Sequence, residues 1–178
     1  MDKRLFIAVD LPEDIKKKIY KNSLVVKAEC KRGSFERQDK YHITLAFIGS
    51  TPEERIPDMK EAMDACRCGS ISIKADGISA FKGKAGLTLY QHVDAEKRLY
   101  NLRERLIKEL IKRGFEPDVR KPFTPHITLA RRGILKAGVT EKTLSEMTES
   151  AGFTADAMTL FSTEDGHYVP LYVRRFEA

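Results

Sequence analysis

Two periodicities alternate along this chain, and together they predict its elements. Residues 4–9 read as a short apolar strand, after which Leu11-Pro12-Glu13-Asp14 opens a helix with Asp10 as its N-cap and acidic residues in its first turn. Ile15, Ile19 and Leu24 continue that helix's apolar stripe. A basic stretch, Lys31-Arg32-Gly33, and a polar loop to Lys40 lead into a strand at 41–48. Thr51-Pro52-Glu53-Glu54 has the form of a capping box with proline at the first helical position, which predicts a helix from there to Ala65.

Strand patterns follow at 71–73, 77–81 and 87–92, with Gly83 and Gly86 marking turns. A long amphipathic helix is predicted over 95–113. Leu99, Leu102, Leu106, Ile107, Leu110 and Ile111 form its buried side, and Gly114 ends it. A strand at 123–130, a short helix at 141–149 and strands at 153–162 and 168–176 complete the chain, the last two joined at Glu164-Asp165-Gly166. No low-complexity segment or long linker interrupts the pattern, so residues 1–178 read as one domain.

Within this pattern the pentapeptide His-Ile-Thr-Leu-Ala occurs twice, at 42–46 and 126–130. The same offset carries Val9-Asp10 onto Val93-Asp94, each pair closing a strand ahead of a helix. Both halves therefore read strand, helix, loop, strand, which predicts a duplicated unit with a pseudo-twofold axis. Strand alternation puts His42 and Thr44 on one face and Ile43 and Leu45 on the other, and likewise His126 and Thr128 against Ile127 and Leu129. The aliphatic faces belong to the core, and the axis can bring the two His/Thr faces together across a cleft.

That pairing suits phosphodiester chemistry. Hydrolysis needs a proton removed from water and another given to the departing alkoxide, and imidazole titrates near neutrality. The Thr44 and Thr128 hydroxyls can donate to phosphate oxygens. A lone His-x-Thr is more often a satisfied strand histidine, but two copies in matched contexts reverse that reading. Secondary candidates for substrate contact are Arg131, Arg132, Phe47 and Tyr168. Simple alternation puts Ala130 and Arg132 on the histidine face and Arg131 on the other, unless the strand bulges or ends. His92 and His167 lack a Thr two residues on and read as surface or structural histidines.

Composition narrows the picture further. The 178 residues carry a net charge of +6, which is compatible with nucleic acid as substrate. No stretch approaches the roughly 20 apolar residues that span a bilayer, and no secretory leader is recognisable, so a cytoplasmic protein is expected; a monomer is the expected state, although nothing in the residues fixes it. Three cysteines give no closed disulfide framework, and Cys66-Arg67-Cys68 lacks a second pair of ligands for zinc. Neither a metal nor a cofactor is expected.

The motifs 4–12 (Arg-Leu-Phe-Ile-Ala-Val-Asp-Leu-Pro), 41–49 (Tyr-His-Ile-Thr-Leu-Ala-Phe-Ile-Gly) and 123–131 (Phe-Thr-Pro-His-Ile-Thr-Leu-Ala-Arg), with Gly166-His167-Tyr168, resemble the two-histidine (2H) phosphoesterase superfamily. The likeness is to its RNA 2′,3′-cyclic phosphodiesterase branch, also called the 2′-5′ RNA ligase family. It implies an α+β, bilobal fold in which two antiparallel sheets face a central cleft, with helices outside. It also implies that His42 is the proton donor and His126 the proton acceptor, that the product is a 2′-phosphomonoester, and that the reversible 2′-5′ joining which related enzymes can run is open to this chain too. The residues alone fix the pair and leave the division of roles open. The expected partner is RNA with a 2′,3′-cyclic phosphate end, tRNA fragments included. The alternatives are a phosphodiesterase for a small cyclic or 2′-5′-linked nucleotide, a physiological ligase, and a non-catalytic RNA-end-binding module.

Overall fold

A computed structural model describes residues 1–177. The strands are β1 (Asp2–Asp10), β2 (Cys30–Phe35), β3 (His42–Pro52), β4 (Ile71–Gly83), β5 (Gly86–Ala95), β6 (His126–Leu135), β7 (Ala151–Ala155), β8 (Ala157–Glu164) and β9 (His167–Arg175). The α-helices are α1 (Glu13–Ala28), α2 (Ile56–Asp64), α3 (Lys97–Lys112) and α4 (Glu141–Met147). Two antiparallel sheets face a cleft, with the helices outside. One has the order β3-β1-β8-β9, the other β2-β6-β5-β4-β7. With β2 set aside, the two orders correspond strand for strand, as a pseudo-twofold duplication requires.

Each sheet is tied to the other half by its helix. After β1 the chain crosses, so that α1 packs beside β2 and β7, whereas α3, leaving β5, lies against β3 and α2. The α1 crossing is pinned by a buried amide pair. Asn22 Nδ2 donates to Gln91 Oε1 at 2.9 Å and to the Glu149 carbonyl at 2.7 Å, and Gln91 Nε2 donates to the Gly77 carbonyl at 2.8 Å. Around these bonds runs a continuous apolar core drawn from both sheets and all four helices. At the end of α3 the Phe115 N–H bonds the Leu110 carbonyl and the Gly114 N–H the Ile111 carbonyl, with Gly114 at φ +85°. This double bond pattern closes the helix where Gly114 predicted it would end.

Several expectations need correction. Thr51-Pro52-Glu53-Glu54 does not cap a helix. Thr51 and Pro52 pair with Lys3 and Asp2 in the β1–β3 ladder, a 3-10 turn occupies Glu53–Arg55, and α2 starts only at Ile56. The ladder satisfies the backbone there before a cap is needed. Asp10 is not an N-cap either. Pro12 holds that position, and Asp10 takes the Leu11 N–H at 2.9 Å and the buried Lys16 ammonium at 3.1 Å. The basic stretch Lys31-Arg32-Gly33 and the start of the polar loop after it form β2, which runs to Phe35. The strand pattern at 153–162 splits at Asp156, where the chain passes from β7 in one sheet to β8 in the other. Leu24 and Ile111 are 48% and 54% exposed, so neither belongs to its helix's buried stripe.

The 84-residue offset holds for the pentapeptides but not for the strands beside them. Asp10 pairs with His42, whereas His92, not Asp94, pairs with His126. Val93-Asp94 does close β5 ahead of α3, yet its ladder position is displaced by two residues from that of Val9-Asp10.

Candidate active site

Both pentapeptides carry the same defect, and the defect places the site. Ile7 pairs with Ala46 and Ala8 with Thr44, which leaves Leu45 as the extra residue of a bulge. Leu89 pairs with Ala130 and Tyr90 with Thr128, which leaves Leu129 in that position. A bulge puts two consecutive side chains on one face and restores alternation beyond it on the opposite phase. Leu45 and Ala46 are accordingly both buried, as are Leu129 and Ala130, while Phe47 and Arg131 emerge. The expectation from simple alternation is thus reversed at Ala130–Arg132. Ala130 belongs to the core and Arg131 to the side of His126. Arg132, at φ +54°, lines a separate cavity with Arg32, Gly33, Ser34 and Ala85.

The two imidazoles are held alike. His42 Nδ1 lies 2.7 Å from the Lys40 carbonyl, and His126 Nδ1 lies 2.7 Å from the Thr124 carbonyl. A carbonyl only accepts, so each Nδ1 carries the proton and each Nε2 is turned away from the backbone. His42 Nε2 meets Thr44 Oγ1 at 2.8 Å. His126 Nε2 and the Thr128 hydroxyl have no protein hydrogen-bond partner among the described residues. Thr44 and His126 line one cavity of about 290 Å³, with Phe47, Arg103, Asp118, Arg120, Lys121 and the chain 122–124.

Aromatic rings wall in each histidine. The His42 ring lies 5.0 Å from Phe6 and 5.3 Å from Tyr168, which meets it edge-on, and Phe161 stacks on Phe6 at 5.3 Å. The His126 ring lies 5.1 Å from Phe81 and 5.1 Å from Tyr90, which stack on each other at 4.3 Å. Packing against apolar rings disfavours the imidazolium, and burial pushes both histidines below their ordinary pKa. The remaining influences differ. At His42 the Lys40 carbonyl, Asp10 and Glu36 favour the cation, and His126 opposes it. At His126 the Thr124 carbonyl favours the cation, and Arg131 opposes it. Glu36 receives Arg131 Nε at 3.3 Å, so one ion pair lies between the two electrostatic environments.

Among the secondary candidates, Tyr168 stands against His42 with Lys40 Nζ 5.0 Å from its ring. Phe47 is 42% exposed at the rim of the Thr44–His126 cavity. His92 and His167 are exposed. Cys66 and Cys68 are buried thiols that bond the Ala62 and Gly69 carbonyls, and burial lifts Cys66 to about 11. Phe6, Phe81, Tyr90 and Phe161 escaped notice in the sequence because they look like strand core. Pairing β1 with β3 would have shown that Phe6 shares a face with His42. Arg103 and Asp118 gave no such signal, since only the tertiary packing brings α3 and the chain after it to the cleft.

Comparison with known proteins shows the family and the fold. The family model of the 2′-5′ RNA ligase superfamily matches residues 20–167, a span that contains both pentapeptides. A protein of Thermotoga maritima named RNA 2′,3′-cyclic phosphodiesterase is 32% identical over 136 residues, covering 72% of this chain and 69% of that protein. One of the same name from Geobacillus stearothermophilus is 33% identical over 130 residues, which is 71% of this chain but only 41% of that relative's length. Among solved structures, E. coli LigT complexed with 3′-AMP matches with a TM-score of 0.79 at 22% identity, over 100% of both chains. The chain belongs to the 2′-5′ RNA ligase superfamily.

No helix of the described residues is long and apolar enough to cross a membrane.

Proposed function

We propose that this chain hydrolyses RNA 2′,3′-cyclic phosphodiester ends to 2′-phosphomonoesters, with His42 as proton donor and His126 as proton acceptor. The observation that carries the reading is the pair of imidazoles fixed by the same Nδ1–carbonyl bond but set in opposed electrostatic environments. Carboxylates near His42 favour its protonated form, the form a general acid needs. Arg131 near His126 favours the neutral form, the form a general base needs. The names of the curated relatives supply the substrate class.

In the proposed reaction His126 Nε2 takes a proton from water as the water oxygen bonds to phosphorus. The bond from phosphorus to O3′ breaks on the opposite side, and His42 Nε2–H delivers its proton to that oxygen. The product carries a 2′-phosphate and a 3′-hydroxyl, and proton exchange with solvent resets the pair. Thr44 and Thr128 donate their hydroxyls to the non-bridging oxygens, where charge accumulates. Thr44 does so by exchanging its bond to His42 for one to the substrate. An RNA 5′-hydroxyl in place of water would give a 2′-5′ linkage by the same two transfers. Both proton transfers and the neutralising dipoles in this scheme run through the chain's own side chains.

The test is to incubate the protein, in chelator, with an oligoribonucleotide ending in a 2′,3′-cyclic phosphate, and to identify the product end by phosphorus NMR. A 2′-phosphate is expected. A 3′-phosphate product, or activity that disappears with the chelator, would sink the scheme.

A further inference from the structure

Arg103 is a half-buried cation on α3 that the proposed chemistry does not use. Its Nε donates to the Leu45 carbonyl at 3.3 Å, and its guanidinium lies 5.2 Å from the centre of the Phe123 ring. It has no carboxylate within ion-pair distance among the described residues. Asp118, the carboxylate in the same cavity lining, is clamped by Arg120 through bonds of 3.0 and 2.8 Å. Burial lowers the Arg103 pKa and the Asp118 carboxylate works against that lowering from a distance, without forming an ion pair. The guanidinium's remaining N–H groups have no protein acceptor among the described residues. They share the cavity with Thr44 and His126. A guanidinium anchored through Nε beside an aromatic ring, with its outer fork unfilled, can take an oxyanion in bidentate fashion.

Position decides which oxyanion. β3 is the edge strand of its sheet, and strand carbonyls point in the plane of the sheet. A side chain bonded to the Leu45 carbonyl therefore stands beside the sheet, not over the face that carries His42 and Thr44. That sets it to the side of the face on which His42 and Thr44 stand, in the cavity that Thr44 and His126 also line. Phe47, exposed at the cavity rim, and Phe123 offer ring faces on which a base can stack. We propose that Arg103 holds the internucleotide phosphate on the 5′ side of the cyclic end, so that the substrate is an RNA of at least two nucleotides. This rests on the hydrolase reading above.

The experiment compares kcat/KM for a dinucleotide with a 2′,3′-cyclic phosphate end against a mononucleoside 2′,3′-cyclic phosphate. The wild-type protein should favour the dinucleotide by at least ~10-fold, and R103A should cut that preference by ~10- to 100-fold, as loss of charge-assisted bonds implies. R103K, which keeps the charge and a donor for the Leu45 carbonyl, should retain part of the preference and serves if R103A fails to fold. A preference that stays within 3-fold of wild type, whether both substrates suffer equally or neither does, overturns the proposal. Should the wild-type protein cleave neither substrate, the hydrolase reading fails by itself. The Arg103 assignment is then decided by the Kd of a dinucleotide with a linear 2′-phosphate. Weaker binding to R103A supports it, and equal binding overturns it.

Discussion

In the His42 half of the molecule the carbonyl of the bulged residue, Leu45, is met by Arg103 Nε at 3.3 Å. In the His126 half the corresponding carbonyl, that of Leu129, is met by the backbone N–H of Glu36 at 2.8 Å. The same backbone device has thus been completed in two ways. The segment between α1 and β3 forms β2 and pads the edge of β6. The segment between α3 and β6 forms no strand; it touches β3 through the Asp118 N–H and the Phe47 carbonyl at 2.9 Å. One edge is closed by a strand, the other opens into the cavity that holds Arg103. The charges diverge with the edges. Across the ladder from His42 stands Asp10, while across from His126 stands His92, with Arg131 just beyond the bulge. Duplication supplied two equivalent imidazoles, and it is the divergence of their surroundings on which the proposed division of roles rests.

Removing the imidazoles should produce the largest effect. His42→Ala and His126→Ala should each lower kcat/KM by ~10²–10⁴, the usual worth of a general acid or base, with circular dichroism unchanged. Two fully active variants would end the proposal. Threonine variants test the symmetry next. Thr44→Val and Thr128→Val should each cost ~10- to 100-fold through loss of a hydrogen bond to a charged oxygen. Only Thr44→Val should also alter the His42 titration seen by NMR, because Thr44 alone is bonded to its histidine in the free protein.

The electrostatic contrast has its own test in the pH–rate profile. Arg131 holds the His126 pKa down, so Arg131→Ala should raise it and move the acidic limb to higher pH. Asp10 favours the His42 cation, so Asp10→Asn should lower that pKa and move the alkaline limb to lower pH. Both variants narrow the bell, from opposite sides. If each moves the other limb instead, the donor and acceptor are exchanged. Because the pair is coupled, the limbs report macroscopic values.

The smallest effect concerns stability. Both histidines titrate below 6.5 in the folded chain. Between 6.5 and those lowered values the unfolded chain binds more protons, so stability falls as pH drops through this window. Thermal melting from pH 7.5 to pH 5 should show the decline as a falling Tm, and a His42→Gln/His126→Gln double variant should flatten it. An unchanged slope would mean that the aromatic walls do not desolvate the rings.

Much of this was legible in the chain itself. Local patterns suffice for the amphipathic α3 and its stop at Gly114. They also suffice for the hairpin at Asp165-Gly166, where both residues adopt positive φ as a tight turn demands. The repeat of His-x-Thr was enough to place His42, Thr44, His126 and Thr128 at matched positions on two strands. The face reached by Arg131 was not legible, because a bulge changes the phase of alternation and leaves no mark in the residues themselves. Nor was the failed capping box at Thr51, where a ladder with residues near the N-terminus outcompeted a local signal.

The sequence by itself determined that two matched His/Thr sets exist and on which strands they stand, since duplication and side-chain periodicity are properties of the linear chain. Tertiary structure alone decided what surrounds each set. It brought Asp10, Glu36, Arg131 and Arg103 to the cleft from separate elements. Electric fields and burial depend on distance in space, and distance along the chain carries no record of them.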